Sequence, residues 1–132
     1  MTEQQCTRLV RTWAKRLGLD SWPNIDIEYH DNPRVKRKPT DADVNWIKGY
    51  RVATLRIRRS MLTDQPRAYV LRTIIHELRH LHYARASDAL ARYVGDSSIT
   101  YRAWEDVEED LCDQDAAAFM RAYNEAEGGA DA

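Results

Sequence analysis

The chain has 132 residues, 43% hydrophobic and 31% charged, which describes one water-soluble domain rather than two domains or a disordered tail. No apolar run approaches the length of a membrane span, and the polar opening Met1-Thr2-Glu3-Gln4-Gln5 lacks the pattern of a secretory signal, so a cytoplasmic protein without a membrane anchor is expected. The net charge of −1 hides an asymmetry: residues 1–72 hold 15 Lys/Arg and 8 Asp/Glu, and residues 73–132 hold 5 and 13.

In chain order, residues 3–17 predict an amphipathic helix with Leu9, Val10, Trp13 and Leu17 facing inward and Gly18 ending it. Ile25 to Tyr29 alternates with period two and predicts a strand. Pro33 to Thr40, which includes Arg34-Val35-Lys36-Arg37-Lys38, is expected to be a basic loop. A second strand is expected near Val44–Ile47, followed by a turn at Lys48-Gly49-Tyr50. Arg51 to Arg59 then places Ala53, Leu55 and Ile57 on one face and Arg56 and Arg58 on the other. If that strand is a sheet edge, a peptide can add along it. The basic half admits a surface for nucleic acid or an acidic partner, but is read in preference as a solvated face balanced by acidic helix. Cys6 and Cys112 form no CxxC pair and are expected to be free thiols.

The next run carries the chemistry. Val70, Leu71, Ile74, Ile75, Leu78 and Leu81 gather on one arc of a helix expected over about 64–86, with Thr63-Asp64 as capping residues and Pro66 in the first turn. From roughly the opposite side project His76 and His80, within His76-Glu77-Leu78-Arg79-His80. Imidazoles four residues apart on a helix lie on one face and can share a metal ion, and the glutamate between them can serve as general base. Arg79 and His82 depart from the extended form of this pattern, which has uncharged and apolar residues there. A shorter helix is expected over 87–94 before the break at Gly95-Asp96-Ser97-Ser98, and a last long helix over about 100–125. Residues 1–126 are expected to form one domain, with 127–132 a frayed tail.

Catalytic zinc takes three protein ligands and leaves one position open, so a third ligand is needed. The last helix offers Glu109 first, with Asp113 one turn on and able to orient a ligating imidazole. Asp113 itself and Glu108 are the alternatives, and His30 a remoter one. Glu108 falls among Trp104, Leu111, Cys112 and Phe119 on the helical wheel, a poor place for an unpartnered charge. Tyr93, Tyr101 and Arg102 are candidates for steadying an oxyanion.

The order of these elements resembles a minimal gluzincin metallopeptidase, and most of all the ImmA/IrrE family; the pentapeptide is the specific match. The resemblance implies an α+β, zincin-like fold: an N-terminal helix, a small three-stranded sheet, the active-site helix, and a C-terminal helix carrying the third ligand. It implies zinc held by His76, His80 and a carboxylate of the later helix (Glu109 in one register, Asp113 in another), with Glu77 as general base. It also implies a specific intracellular protein substrate, such as a transcriptional repressor. A SprT-like protease would need a third histidine, and none follows His82. Two readings from other classes stand beside these: a metal-stabilised binding or regulatory protein without hydrolysis, and a basic nucleic-acid binder. An intact Glu77 weighs against the first, because a purely structural site has no use for it.

Overall fold

The computed structural model describes residues 1–123; the expected tail at 127–132 and positions 124 and 125 of the expected last helix lie outside the described residues. The architecture is α+β. Helix α1 (Glu3–Arg16) opens with a reciprocal cap, Thr2 Oγ1 accepting from the Gln5 amide and Gln5 Oε1 from the Thr2 amide. It ends where Gly18 adopts φ 71°, a backbone state that favours glycine.

Strands β1 (Asn24–His30), β4 (Ala42–Trp46) and β5 (Val52–Arg58) form one sheet in the order β1-β5-β4. The β1–β5 pair is parallel and the β4–β5 pair antiparallel. The region expected to be a basic loop instead contains a small hairpin, β2 (Arg34–Val35) with β3 (Lys38–Pro39). Its two turn residues, Lys36 and Arg37, both have positive φ, as a tight two-residue hairpin requires. A short helix α2 (Arg59–Asp64) leads into α3 (Arg67–Val94), and α4 (Ile99–Ala122) returns along it.

Two expectations about α3 need correction. Thr63 and Asp64 do not cap it; they close α2, and Pro66 occupies the cap position with no side-chain hydrogen bond. Nor is there a separate helix over 87–94. Nothing between Tyr83 and Gly95 breaks the helix, and alanines at 84, 86, 89 and 91 favour its continuation.

The core lies between the sheet and the helices. Ala53, Leu55 and Ile57 from β5 meet Trp13 of α1 and Leu71, Ile74, Ile75 and Leu78 of α3, all at 1% exposure or less. The opposite face of β5 is paired by charge: Arg56 with Asp43 at 2.8 Å and Arg58 with Asp41 at 3.7 Å. Arg59, just beyond, meets Asp31 at 2.9 Å. Three arginines of the basic half are thus paired with acids of the same half. No helix among the described residues is long and apolar enough to cross a membrane.

The sheet order also relocates its free edge. Arg51–Arg59 contributes the central strand, not an edge, because β1 and β4 occupy both sides of β5. The edge near α3 is β4. Backbone bonds from Arg58 to Asp41 and from Ile47 to Val52 fix the alternation of the pair. Asp43 and Asn45 therefore point their backbone groups at β5, and Val44 turns its N–H and C=O outward.

Candidate metal centre

Helices α3 and α4 meet in antiparallel register. Side-chain bonds join His76 to Asp113, His80 to Glu109 and Ser87 to Trp104, the later residue of α3 meeting the earlier residue of α4 each time. That register carries the acids of α4 past the two histidines.

His76 Nε2 and His80 Nε2 lie 3.3 Å apart. The Glu109 carboxylate spans them, Oε2 at 2.9 Å from His76 Nε2 and Oε1 at 3.0 Å from His80 Nε2. One ligand atom from each of the three residues falls within 4.8 Å of the others, so the group could hold a metal ion. Its dimensions can be tested against chemistry. Two donors bound at about 2.0–2.1 Å to a tetrahedral ion are separated by about 3.3 Å. The imidazole pair has that separation, and the donor set of two nitrogens and one carboxylate suits a borderline cation such as zinc.

The other ring nitrogens are also engaged. His76 Nδ1 lies 2.7 Å from Asp113 Oδ1. His80 Nδ1 is in close contact with Glu108 Oε2, Glu108 Oε1 accepts from Ser87 Oγ–H, and Ser87 Oγ accepts from Trp104 Nε1–H at 2.7 Å. Without a metal, Nε2–H of each imidazole donates to Glu109; with a cation bound, a carboxylate accepting from each Nδ1–H would fix the tautomer that leaves Nε2 with its lone pair. Both Nε2 atoms point into the same small space.

The electrostatics agree. Four carboxylates (Glu77, Glu108, Glu109, Asp113) surround two imidazoles. Burial works to lower the proton affinity of His80, but hydrogen bonds with Cys112, Glu108 and Glu109 outweigh it and raise its pKa. His76 is likewise raised, burial being overcome by the Glu109 hydrogen bond and the Glu77 charge. Glu109 is held well below the usual carboxylate range by its bonds to His76 and then His80. A surplus of negative charge that favours protons on imidazole also favours a divalent cation in their place.

Glu77 stands apart from the ligand cluster. It is partly buried. Burial pushes its carboxyl up to about 7, against the opposing pull of His80 and His76. It lines two adjoining clefts of about 320 and 390 Å³, which share Thr40 and Ala42 as well. Together these form a groove along the β4 edge, with Glu77 in its middle.

The candidates read from sequence separate clearly. His76, His80 and Glu109 converge. Asp113 and Glu108, weighed as third ligands, instead lie behind the imidazoles on their Nδ1 atoms. His30 is elsewhere, at the end of β1, with its Nε2 on Glu28 at 2.9 Å. His82 faces away and bonds the Leu17 carbonyl at 2.8 Å. Tyr101 lines the cleft, whereas Tyr93 projects into solvent at the far end of α3. The acidic run pairs with Arg79, through Asp115 at 2.9 Å, while Arg72 lines the groove. Ser87 and Trp104 had no role in the sequence reading; the one signal was a glutamate, Glu108, among apolar wheel positions with no partner of its own. Models of known families, curated proteins and solved structures were compared with the chain, and none matches it.

Proposed function

We propose that the protein is a zinc-dependent metallopeptidase of zincin-like, ImmA/IrrE-like layout, acting on a specific intracellular protein such as a transcriptional repressor. The observation that carries this reading is the pair of Nε2 atoms 3.3 Å apart, faced by Glu109 and backed by a carboxylate on each Nδ1. His76, His80 and Glu109 would hold the ion. When bound, zinc supplies Lewis acidity, making water a better nucleophile and a carbonyl a better electrophile.

The chain's own residues account for the rest. Glu77 is the nearby carboxylate that neither holds the ion nor braces a ligand, so it is free to take a proton from the attacking water and return it to the leaving amine. The outward N–H and C=O of Val44 offer main-chain hydrogen bonds to an extended peptide in the groove. Tyr101, alone among the three donors considered from sequence, lines that groove and can donate its hydroxyl to a developing oxyanion.

Purified protein should contain one zinc per chain and cleave its substrate only when loaded. Incubation with candidate repressors, with and without chelator, measures this by mass spectrometry of the products. Glu77→Gln should keep the zinc and lose at least about a hundredfold in rate. Zinc retained with no cleavage of any substrate by the wild type would favour the metal-stabilised regulatory protein instead. Undiminished cleavage by Glu77→Gln would remove Glu77 from the mechanism.

A further inference from the structure

A second cleft, of about 480 Å³, lies beside the C-terminal part of α3 and the turn between β4 and β5. Its walls carry the two most exposed large aromatic side chains among the described residues, Tyr50 at 68% and Tyr93 at 85%. Three exposed arginines, Arg51, Arg85 and Arg92, line the same cleft. Arg85 and Arg92 are two helical turns apart and share one face of α3. Neither has an ion-pair partner among the described residues.

Arg51 is oriented without being neutralised. It donates to Ser21 Oγ at 2.9 Å, and its guanidinium lies over the Trp22 ring at 5.9 Å. The carboxylate that lines the cleft, Asp88, already accepts from Trp46 Nε1 at 3.0 Å. Between the two helical arginines the wall includes the exposed Ala89, whose small side chain lets a flat ring approach the helix closely. The exposed tyrosines bury little, and Arg85 and Arg92 have no carboxylate partner among the described residues that would tie them to the fold. Flat π faces set among exposed cations suit a chain of alternating bases and phosphates. A concave site of this volume admits single bases but not a duplex, and an acidic peptide would leave the tyrosine faces unused.

We infer that this cleft binds single-stranded nucleic acid, bases stacking on Tyr50 and Tyr93 and phosphates meeting Arg51, Arg85 and Arg92. Along the α3 axis, Arg85 lies about 7.5 Å and Arg92 about 18 Å beyond His80. It uses none of the metal-centre residues, so it stands whether or not the peptidase reading does.

The test is fluorescence anisotropy of a labelled oligothymidylate with the full chain, before and after chelation. Binding should persist without metal and weaken with salt, at a log–log slope of about −2 for three phosphate contacts on a single strand. Tyr93→Ala should weaken it roughly tenfold. The double variant Arg85→Glu/Arg92→Glu should weaken it at least as much, and the distant control Arg121→Glu should leave it unchanged. All these side chains are exposed, and circular dichroism checks that each variant is folded. Absence of binding, equal loss in the Arg121 control, or displacement by polyglutamate as readily as by unlabelled oligothymidylate would each overturn the inference, the last by showing a site for acidic peptides.

Discussion

The two imidazoles of the candidate metal centre sit one turn apart on the same helix, yet their supports are built differently. His80 is braced from inside: its Nδ1 meets Glu108, whose side chain is 8% exposed, and the chain continues through buried Ser87 to Trp104. His76 is braced from outside by Asp113, whose side chain is 61% exposed. An ion pair in water gains little, because solvent screens it and long side chains lose freedom. A buried carboxylate is different: without its partners it would be an uncompensated charge in the core. The inner half of the site is therefore tied to the stability of the fold, and the outer half is free to adjust.

Perturbing each half in turn tests this contrast. The largest difference is expected between His80→Ala and His76→Ala. Both should abolish stoichiometric zinc binding. In metal-free protein unfolded with urea, His80→Ala should cost about 3–5 kcal/mol, since Glu108 is left buried without its cation, with the Ser87 hydroxyl still donating to it. His76→Ala should cost about 1 kcal/mol, its carboxylates being exposed. Equal costs would mean that the two supports do not differ.

Next in size, Glu108→Gln should weaken zinc by about 10–100-fold in a chelator competition, as removal of an orienting carboxylate does. Asp113→Asn, on the wet side, should fall short of tenfold. A smaller effect is expected for Ser87→Ala, which deprives both Glu108 and the Trp104 indole of a partner; about 1–3 kcal/mol should appear in urea unfolding. The smallest is a control on the same helix pair. Asp115→Asn removes the partner of Arg79 and Tyr83 outside the site, and should change stability by about 1 kcal/mol while leaving zinc affinity alone.

How much of this was legible in the residues differs from place to place. His76, Glu77 and His80 were legible because a helix converts a spacing of four into a shared face. The alternation of Ala53, Leu55 and Ile57 disclosed a buried strand face, but could not say that β5 is central. That depended on β1 joining it from across the sheet in parallel, through a connection no local pattern announces. The continuity of α3 through Ser87 and Asp88 was not legible, because their polar side chains find their partners in Glu108, Trp104 and Trp46, all distant in sequence. Glu108 was legible as an anomaly, a charge on an apolar stripe, although not as a brace for His80.

The sequence by itself determined the α+β class, the paired-histidine face of one helix and the acidic supply on another, because these follow from local periodicity and residue chemistry. Only the tertiary structure decided which acid faces both imidazoles and which ones stand behind them, because that depends on the antiparallel register of α3 and α4. A rotation of α4 by one residue, about 100°, would bring Glu108 to face the imidazoles and put Val107 where Glu108 stands behind His80, while leaving every local pattern unchanged.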